Sequence, residues 1–220
     1  MNLPEYFVWT RYGIESGEEI GSIFRRKERE RLTSGGTFLW GIGNSVAPSV
    51  RKLLAHLNGE PPAIVFSPML AKPKTLDVLP GRVVTWTLAH GIDGLEWQIP
   101  AGTVVTSRAA AGSSDKTRHY ALVCRLETPL NERQDGQRFS IDDLRNFASG
   151  NRVGHSQVSS VVQRSGQNTS GPYLAAVVAA LQYPYVVELS GPEQCGHVST
   201  RNVDSVRHAA PRQLTLESVA

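Results

Sequence analysis

The expected fold class follows from residues 37–67, which read TFLWGIGNSVAPSVRKLLAHLNGEPPAIVFS. The apolar run at 37–40, stopped by Gly41-Ile-Gly43-Asn44, predicts a strand and a turn. Apolar residues then recur at helical spacing over 46–57, and Asn58-Gly59 ends that helix. The run at 63–66, followed by Ser67, predicts a second strand. This strand–helix–strand order predicts an α+β domain.

The same patterns extend to both sides of this segment. Before it, we expect a strand at 6–9 and a charged helix over 18–32. After it lies a mostly β region. The predicted strands there are 82–88, 95–99, 103–107, 119–126, 156–163 and 185–189. Two further helices are expected, one capped by Ser140 that spans 141–147 and one that is rich in alanine and spans 172–181.

Length and composition favour one folded domain. The 220 residues are 40% hydrophobic and 20% charged, which excludes disorder, collagen and coiled coil. We expect one domain over 1–189, elaborated from about residue 139, and an irregular or partly disordered tail over 190–220. The net charge of +3 permits a nucleic-acid partner without requiring one.

No apolar run approaches the length of a membrane span, and the N-terminus lacks a secretory signal, so we expect a cytoplasmic protein without a membrane partner. Two cysteines, Cys124 and Cys195, give neither a disulfide framework nor a zinc motif. The six histidines have no metal-ligand spacing. We therefore expect no metal.

Catalytic and cofactor motifs are incomplete. Gly41-Ile-Gly43 lacks the third glycine of a dinucleotide fingerprint, and no Gly-Lys-Ser/Thr phosphate loop is present, so we expect no cofactor. His119 and Cys124 have an odd spacing within one strand, which points their side chains to opposite faces and indicates a structural cysteine. No catalytic residue is assigned.

The charged helix at 18–32 has a structural explanation. Its acidic residues come first and its basic residues follow, as the helix dipole favours. This order indicates a solvated surface helix without a ligand.

The unusual feature is a set of aromatic and small polar residues at strand ends. The set consists of Trp9, Trp40 with Asn44 and Ser45, and Ser67-Pro68-Met69. An indole can stack on a splayed-out nucleobase, and Asn or Ser can read the edge of that base. The alternative is that the tryptophans only fill the core.

The order of Trp9, a helix, Trp40-Gly-Ile-Gly-Asn44, a second helix and Ser67 resembles the EVE branch of the PUA-like superfamily, relatives of YTH and ASCH domains. The resemblance covers roughly residues 6–126. The segment from Trp40 to Asn44 is one residue shorter than the family stretch and lacks its acid and its arginine.

The resemblance implies a PUA-like twisted mixed β-barrel flanked by helices. It also implies a non-catalytic reader that binds a modified nucleobase, flipped from DNA or held in RNA, with DNA favoured. Such modules serve as specificity components of modification-dependent restriction. Trp40 would then form a pocket wall, Asn44 and Ser45 would read the base edge, and Ser67 would add a polar contact. The weaker candidates, at the rim, are Trp9, Arg11 and Met69.

Contacts to the nucleic-acid backbone are expected from basic side chains, because phosphate neutralisation supplies most sequence-independent affinity. The candidates are Arg11, Arg25, Arg26, Arg29, Lys72, Lys74 and Arg108. The residues of the polar loop 152–157 are explained by a turn that leads into a strand, without any function. The alternative is that this loop contacts the ligand. The chain shows no nuclease signature, so cleavage would need a partner.

Two other functions remain open. An ASCH-like hydrolase of modified nucleosides would use Lys72 or Lys74 with Glu96 and Thr85. A protein-interaction module would instead use the charged helix and the polar tail.

Overall fold

The computed structural model describes residues 3–12, 20–68, 82–100, 103, 105–107, 119–130, 138–155, 157–166 and 173–193. Its helices are α1 (Ile20–Thr33) and α2 (Val46–His56). The strands are β1 (Tyr6–Tyr12), β2 (Thr37–Ile42), β3 (Ala63–Pro68), β4 (Arg82–Gly91), β5 (Glu96–Trp97), β6 (Val105–Ser107), β7 (His119–Arg125), β8 (Arg138–Ser140), β9 (Leu144–Asn146), β10 (Ser159–Arg164), β11 (Tyr173–Ala175) and β12 (Val177–Glu193). The predicted α+β class is confirmed.

Ten strands form one mixed sheet. Its path is β2-β7-β12-β3-β1-β10-β9, and β4 pairs with β12, β5 and β6. The pair β1–β3 is parallel, with Arg11 opposite Ser67, and the other pairs are antiparallel. β8 and β11 form a separate two-stranded sheet. The carboxyl ends of β1 and β3 therefore lie side by side.

The large sheet is curled. Three strands separate β2 from β1 along the path, yet the Trp40 Nε1 atom on β2 donates to Thr10 Oγ1 on β1 at 3.1 Å. A side chain can span this gap only if the two strands face each other across a shared interior. No pairing among the described strands joins β2 to β9, so over these residues the sheet is open and does not close into a barrel.

Separate cores cover the two faces of the sheet around β1. The helix-side core is built from the sheet, α1 and α2, and its members include Val8, Tyr12, Phe24, Phe38, Val50, Phe66, Leu122 and Cys124. The second core lies on the other face and includes Phe7, Trp9, Val65, Phe139, Leu144, Val162 and Leu174. Consecutive residues of β1 thus point into different cores, as strand alternation requires.

The alanine-rich helix predicted at 172–181 is wrong, because 173–175 form β11 and Val177 begins β12. The first part of β12 lies between β3 and β7, where Ala180 pairs with both neighbouring strands. Burial alternates along it, with Val177, Ala179 and Leu181 buried. Backbone pairing on both sides outweighs the helix propensity of alanine, which is a weak preference.

The helix predicted at 141–147 is also wrong. Ser140 does cap the segment, since its Oγ accepts from the Asp142 backbone nitrogen at 3.3 Å. However, the turn ends after residues 141–143 as a short 3-10 segment, and β9 follows. The Asp143 carboxylate bonds Ser165 Oγ at 2.6 Å, while Leu144 pairs with Arg164. These long-range contacts with the end of β10 favour an extended backbone, so the helical turn does not continue beyond residue 143.

The predicted boundary at 190 falls inside β12, because this strand continues to Glu193 and pairs there with β4. The tail is therefore shorter at its start than predicted, and residues 194–220 lie outside the described part. Neither α1 nor α2 is long and apolar enough to cross a membrane.

Candidate functional site

The carboxyl ends of β1 and β3 gather three of the predicted site residues on the second-core face. Trp9 is fully buried, and its Nε1 atom donates to Ser67 Oγ at 2.9 Å. The Arg11 guanidinium lies over the Trp9 ring, 4.8 Å from the ring centroid. Because Arg11 and Ser67 are register partners, these three side chains form one cluster, which we call the β1/β3 cluster.

Trp40 lies on the opposite face of the sheet. Its ring contacts Phe66 edge to face at 4.8 Å, and its Nε1 atom donates to Thr10. Thr10 Oγ1 is also 3.0 Å from Ser159 Oγ. The predicted pocket required Trp40 and Ser67 to face each other, and the structure does not bring them together.

Sequence reasoning missed Thr10 as the partner of Trp40. The signal available was the period of two along β1, which places Thr10 on the face opposite Trp9. Knowing which of the two faces met Trp40 required the curl of the sheet. No local sequence pattern predicts this curl.

A small cavity lies between α1 and the sheet beside Trp40. Its volume is about 10 Å³, and it is lined by Ile23, Phe24, Lys27, Phe38, Trp40, Phe66 and Leu130. Such a volume holds about one water molecule. This cavity is too small for a nucleobase, so a base could stack only on the exposed part of Trp40.

Asn44 and Ser45 are exposed in the turn between β2 and α2. Ser45 occupies the N-cap position of α2 without a side-chain capping bond. Neither residue is buried in the fold, so both side chains are accessible to a ligand.

The predicted basic contacts fall into different environments. Arg25 and Arg29 are exposed on α1, and within the described ranges neither forms an ion pair with a carboxylate. Arg26 lies 3.7 Å from Glu30. Arg11 is buried, with 5% of its surface exposed. Four predicted site residues, Met69, Lys72, Lys74 and Arg108, lie outside the described residues.

Arg11 is held in place by the backbone of the segment before β10. Its Nη1 atom donates to the His155 carbonyl, and its backbone nitrogen donates to the Val158 carbonyl at 2.8 Å. The His155 ring contacts the Asp142 carboxylate at 3.2 Å. The polar loop 152–157 therefore contributes a structural anchor for Arg11. Burial lowers the pKa of this guanidinium, which nevertheless stays protonated at neutral pH.

The prediction that α1 carries its charges in solvent is wrong for one stripe of the helix. Lys27 and Glu30 are 3% and 2% exposed, and Lys27 Nζ lies 2.9 Å from both carboxylate oxygens of Glu30. Burial is the main cause that lowers the pKa of Lys27 to about 8, against the opposing attraction of Glu30. Positions 23, 24, 27, 30 and 31 have the spacing of one buried helix face, and this spacing was the signal available.

Cys124 lies close enough to this ion pair to interact with it electrostatically. Burial raises the pKa of its thiol, with Lys27 opposing and Glu30 adding to the effect. A neutral thiol is a poor nucleophile, which agrees with the predicted structural role. Cys124 lies in the helix-side core, whereas His119 contacts Trp86 on the opposite face of β7. The prediction that His119 and Cys124 point to opposite faces is therefore confirmed.

Little of the hydrolase alternative can be located in the structure. Glu96 is exposed on β5, and Thr85 belongs to β4. The two candidate lysines lie outside the described part. Among the residues that are described, no three His, Cys, Asp or Glu side chains are grouped so that they could hold a metal ion.

Comparison with protein-family models, with curated proteins and with solved structures finds no match for this chain.

Proposed function

We propose that this chain is a non-catalytic nucleic-acid reader that recognises a modified base on the face that carries Trp40. The proposal rests on one observation: the Trp40 indole is partly exposed and is held in place by a hydrogen bond. Trp40 is half-buried, its Nε1 atom is held by Thr10, and it lies at the end of β2 that leads to the exposed Asn44. A fixed, partly exposed ring offers a surface on which a base can stack, and the exposed Asn44 amide, four residues further along the chain, offers hydrogen-bonding groups for the edge of a base.

The charge on α1 supports the same face. α1 packs against β2, and Phe24 on α1 contacts the Tyr12 ring at 4.9 Å. Arg25 and Arg29 lie one helical turn apart and are both exposed. Two guanidinium groups with this spacing are suited to the phosphates that flank a bound nucleotide.

The curled mixed sheet with two packed helices supports a PUA-like fold as the finer description, although over the described residues the sheet is open and does not close into a barrel. In this proposal the base stacks on the outer part of Trp40, because the cavity beneath it is too small. Any cleavage of the nucleic acid would come from a separate nuclease partner.

The test is fluorescence anisotropy with DNA and RNA oligonucleotides that carry 5-methylcytosine, N6-methyladenine or only plain bases. We expect tighter binding of one modified strand. Asn44→Ala should remove most of this preference, because it removes the amide proposed to read the base edge. The amide is exposed, and among the described residues it forms no hydrogen bond that the substitution would break. The double variant Arg25→Gln/Arg29→Gln should weaken all strands alike and reduce the slope of log affinity against log salt by about 1 to 2.

Trp40→Phe tests the stacking surface, and Trp97→Phe is its matched control because Trp97 is also half-buried but lies on β5. We expect weaker binding only for Trp40→Phe. Equal affinity for modified and plain strands, or equal losses in both tryptophan variants, would contradict the proposal.

A further inference from the structure

Arg11 stands apart from the other buried polar groups. Five buried side-chain nitrogen and oxygen atoms of the described residues lack a hydrogen-bond partner, and Arg11 Nε and Arg11 Nη2 are the charged ones among them. A buried donor without a partner is costly, and a charged donor is more costly than a neutral one. The fold therefore retains an unfavourable feature at the end of β1.

The two unpartnered atoms lie on the same edge of the guanidinium. Nη1 is used by the His155 carbonyl, and one face of the group lies over the Trp9 ring. This leaves the Nε–Nη2 edge, whose two parallel N–H bonds form a fork that matches an oxyanion. The contacts that the protein makes thus orient the guanidinium while leaving this fork unused.

Ser67 supplies a third donor near the guanidinium. It is the register partner of Arg11 on the same face of the sheet, and both side chains contact the Trp9 ring: Ser67 Oγ lies 2.9 Å from Trp9 Nε1, and the guanidinium lies 4.8 Å from the ring centroid. The Ser67 oxygen accepts from Trp9 Nε1, and among the described residues no acceptor is found for its hydroxyl hydrogen, which can therefore donate to a ligand. The Asp142 carboxylate contacts the His155 ring and does not pair with the fork.

We propose that the β1/β3 cluster is a phosphate-binding site, in which the Arg11 fork binds two oxygens of a phosphate group and Ser67 donates to a third. A carboxylate has only two oxygens, and the fork would use both, so three donors favour phosphate. The site is on the face opposite Trp40 and is therefore independent of the base-reading proposal. Arg11 is buried in this structure, so phosphate enters only when the surface over the guanidinium opens.

The experiment is a thermal unfolding series on the full chain at pH 7 and constant ionic strength. The probes are inorganic phosphate, a nucleoside 5′-monophosphate, the same nucleoside without phosphate, and acetate, each against chloride. We expect a rise in Tm of about 5–10 °C at a hundredfold excess of phosphate over its Kd. A response to inorganic phosphate identifies the free ion as sufficient, and a response to the monophosphate alone identifies a phosphate ester.

Two variants assign the response to the cluster. Arg11→Lys keeps the charge but removes the fork, and we expect it to lose the Tm rise. Ser67→Ala should lower the affinity for phosphate about tenfold, because one donor is lost while the Arg11 fork is kept. Arg25→Gln, a control for an exposed arginine, should keep the full response. If Arg11→Lys does not fold, the comparison of Ser67→Ala with Arg25→Gln still decides.

The proposal is overturned if no phosphate probe raises the Tm of the natural chain, or if acetate or the bare nucleoside raises it equally. It is also overturned if a folded Arg11→Lys variant keeps the full response, or if Arg25→Gln loses the response while Ser67→Ala keeps it. This last result would assign phosphate to the surface of α1, where it would bear on the nucleic-acid proposal instead.

Discussion

Glu30→Gln is expected to destabilise the fold by an amount that depends on pH. The substitution removes the negative charge beside Lys27 Nζ but keeps the shape of the side chain and one acceptor oxygen. Both side chains are at most 3% exposed, so water cannot replace the lost charge. Removal of one partner from a buried ion pair usually destabilises a protein by about 3–5 kcal/mol. Here the loss is smaller at neutral pH, because Lys27 can release its proton.

The magnitude follows from the pKa of Lys27, which burial lowers to about 8. The unfolded chain keeps this proton up to a pKa of about 10.4. In the variant the amine is neutral when folded, so folding must remove a proton that the natural protein retains below pH 8. That step costs about 1.4 kcal/mol for each pH unit below 8. The expected loss is therefore about 1 kcal/mol greater at pH 7 than at pH 9, and about 3 kcal/mol greater at pH 6 than at pH 9. Loss of the Arg26–Glu30 pair, whose atoms lie 3.7 Å apart, adds a part that does not change with pH.

Urea denaturation at pH 6, 7, 8 and 9 measures this difference directly. Glu28→Gln is the matched control on the same helix, because Glu28 pairs with Arg31 at 2.7 Å. Arginine cannot deprotonate in this range, so the loss in Glu28→Gln should not change from pH 6 to pH 9. A Glu30→Gln loss that is constant over pH, or that grows toward pH 9, would refute the assignment of Lys27 as the titrating group.

Three further substitutions test the strand ends and the β4–β5 turn, each by urea denaturation. Ser67→Ala should cost about 1–3 kcal/mol, because the buried Trp9 Nε1 atom loses its acceptor; no loss would mean that water already serves this atom. Thr10→Val keeps the side-chain shape but removes the acceptor of Trp40 Nε1 and the contact with Ser159 Oγ, so it should cost about 1–3 kcal/mol; a neutral result would show that neither contact stabilises the fold. Gly91→Ala should cost about 1–3 kcal/mol, because a Cβ there would lie 2.6 Å from the Asp93 carboxylate oxygen; unchanged stability would mean that the turn relaxes.

The strands and helices of the first half were predictable because their patterns are local. Apolar runs with β-branched residues and a turn at each end gave β1, β2 and β3, and the helical spacing gave α2. The segment 172–181 failed for the opposite reason. Its alanines favour a helix locally, and only the pairing of Ala180 with two distant strands makes it a strand. Pairings over more than fifty residues leave no mark on local composition.

The candidate site was predictable as a set of residues but not as an arrangement. Ser67 was correctly placed near the end of its strand, whereas Trp9 and Trp40 lie inside β1 and β2, which continue to Tyr12 and Ile42. Their faces depend on register and on the partners of each strand. A shift of one residue exchanges the two faces of a strand, so the prediction that Trp40 faces Ser67 had no local support.

The buried polar contacts of β1 explain how this register is fixed. Trp9 bonds Ser67 on one face, Thr10 contacts Ser159 on the other, and the Arg11 backbone nitrogen donates to Val158 in the segment just before β10. A slip of β1 by one residue would break all three contacts and bury each group without a partner, which is costly at every position. These contacts therefore specify one pairing for β1. Among the described residues, Arg11 Nε and Nη2 have no hydrogen-bond partner. This edge of the guanidinium therefore contributes no hydrogen bond that fixes the register of β1, unlike Nη1, which bonds the His155 carbonyl. The proposed phosphate would pair with this edge and so explain why a charged group is buried there.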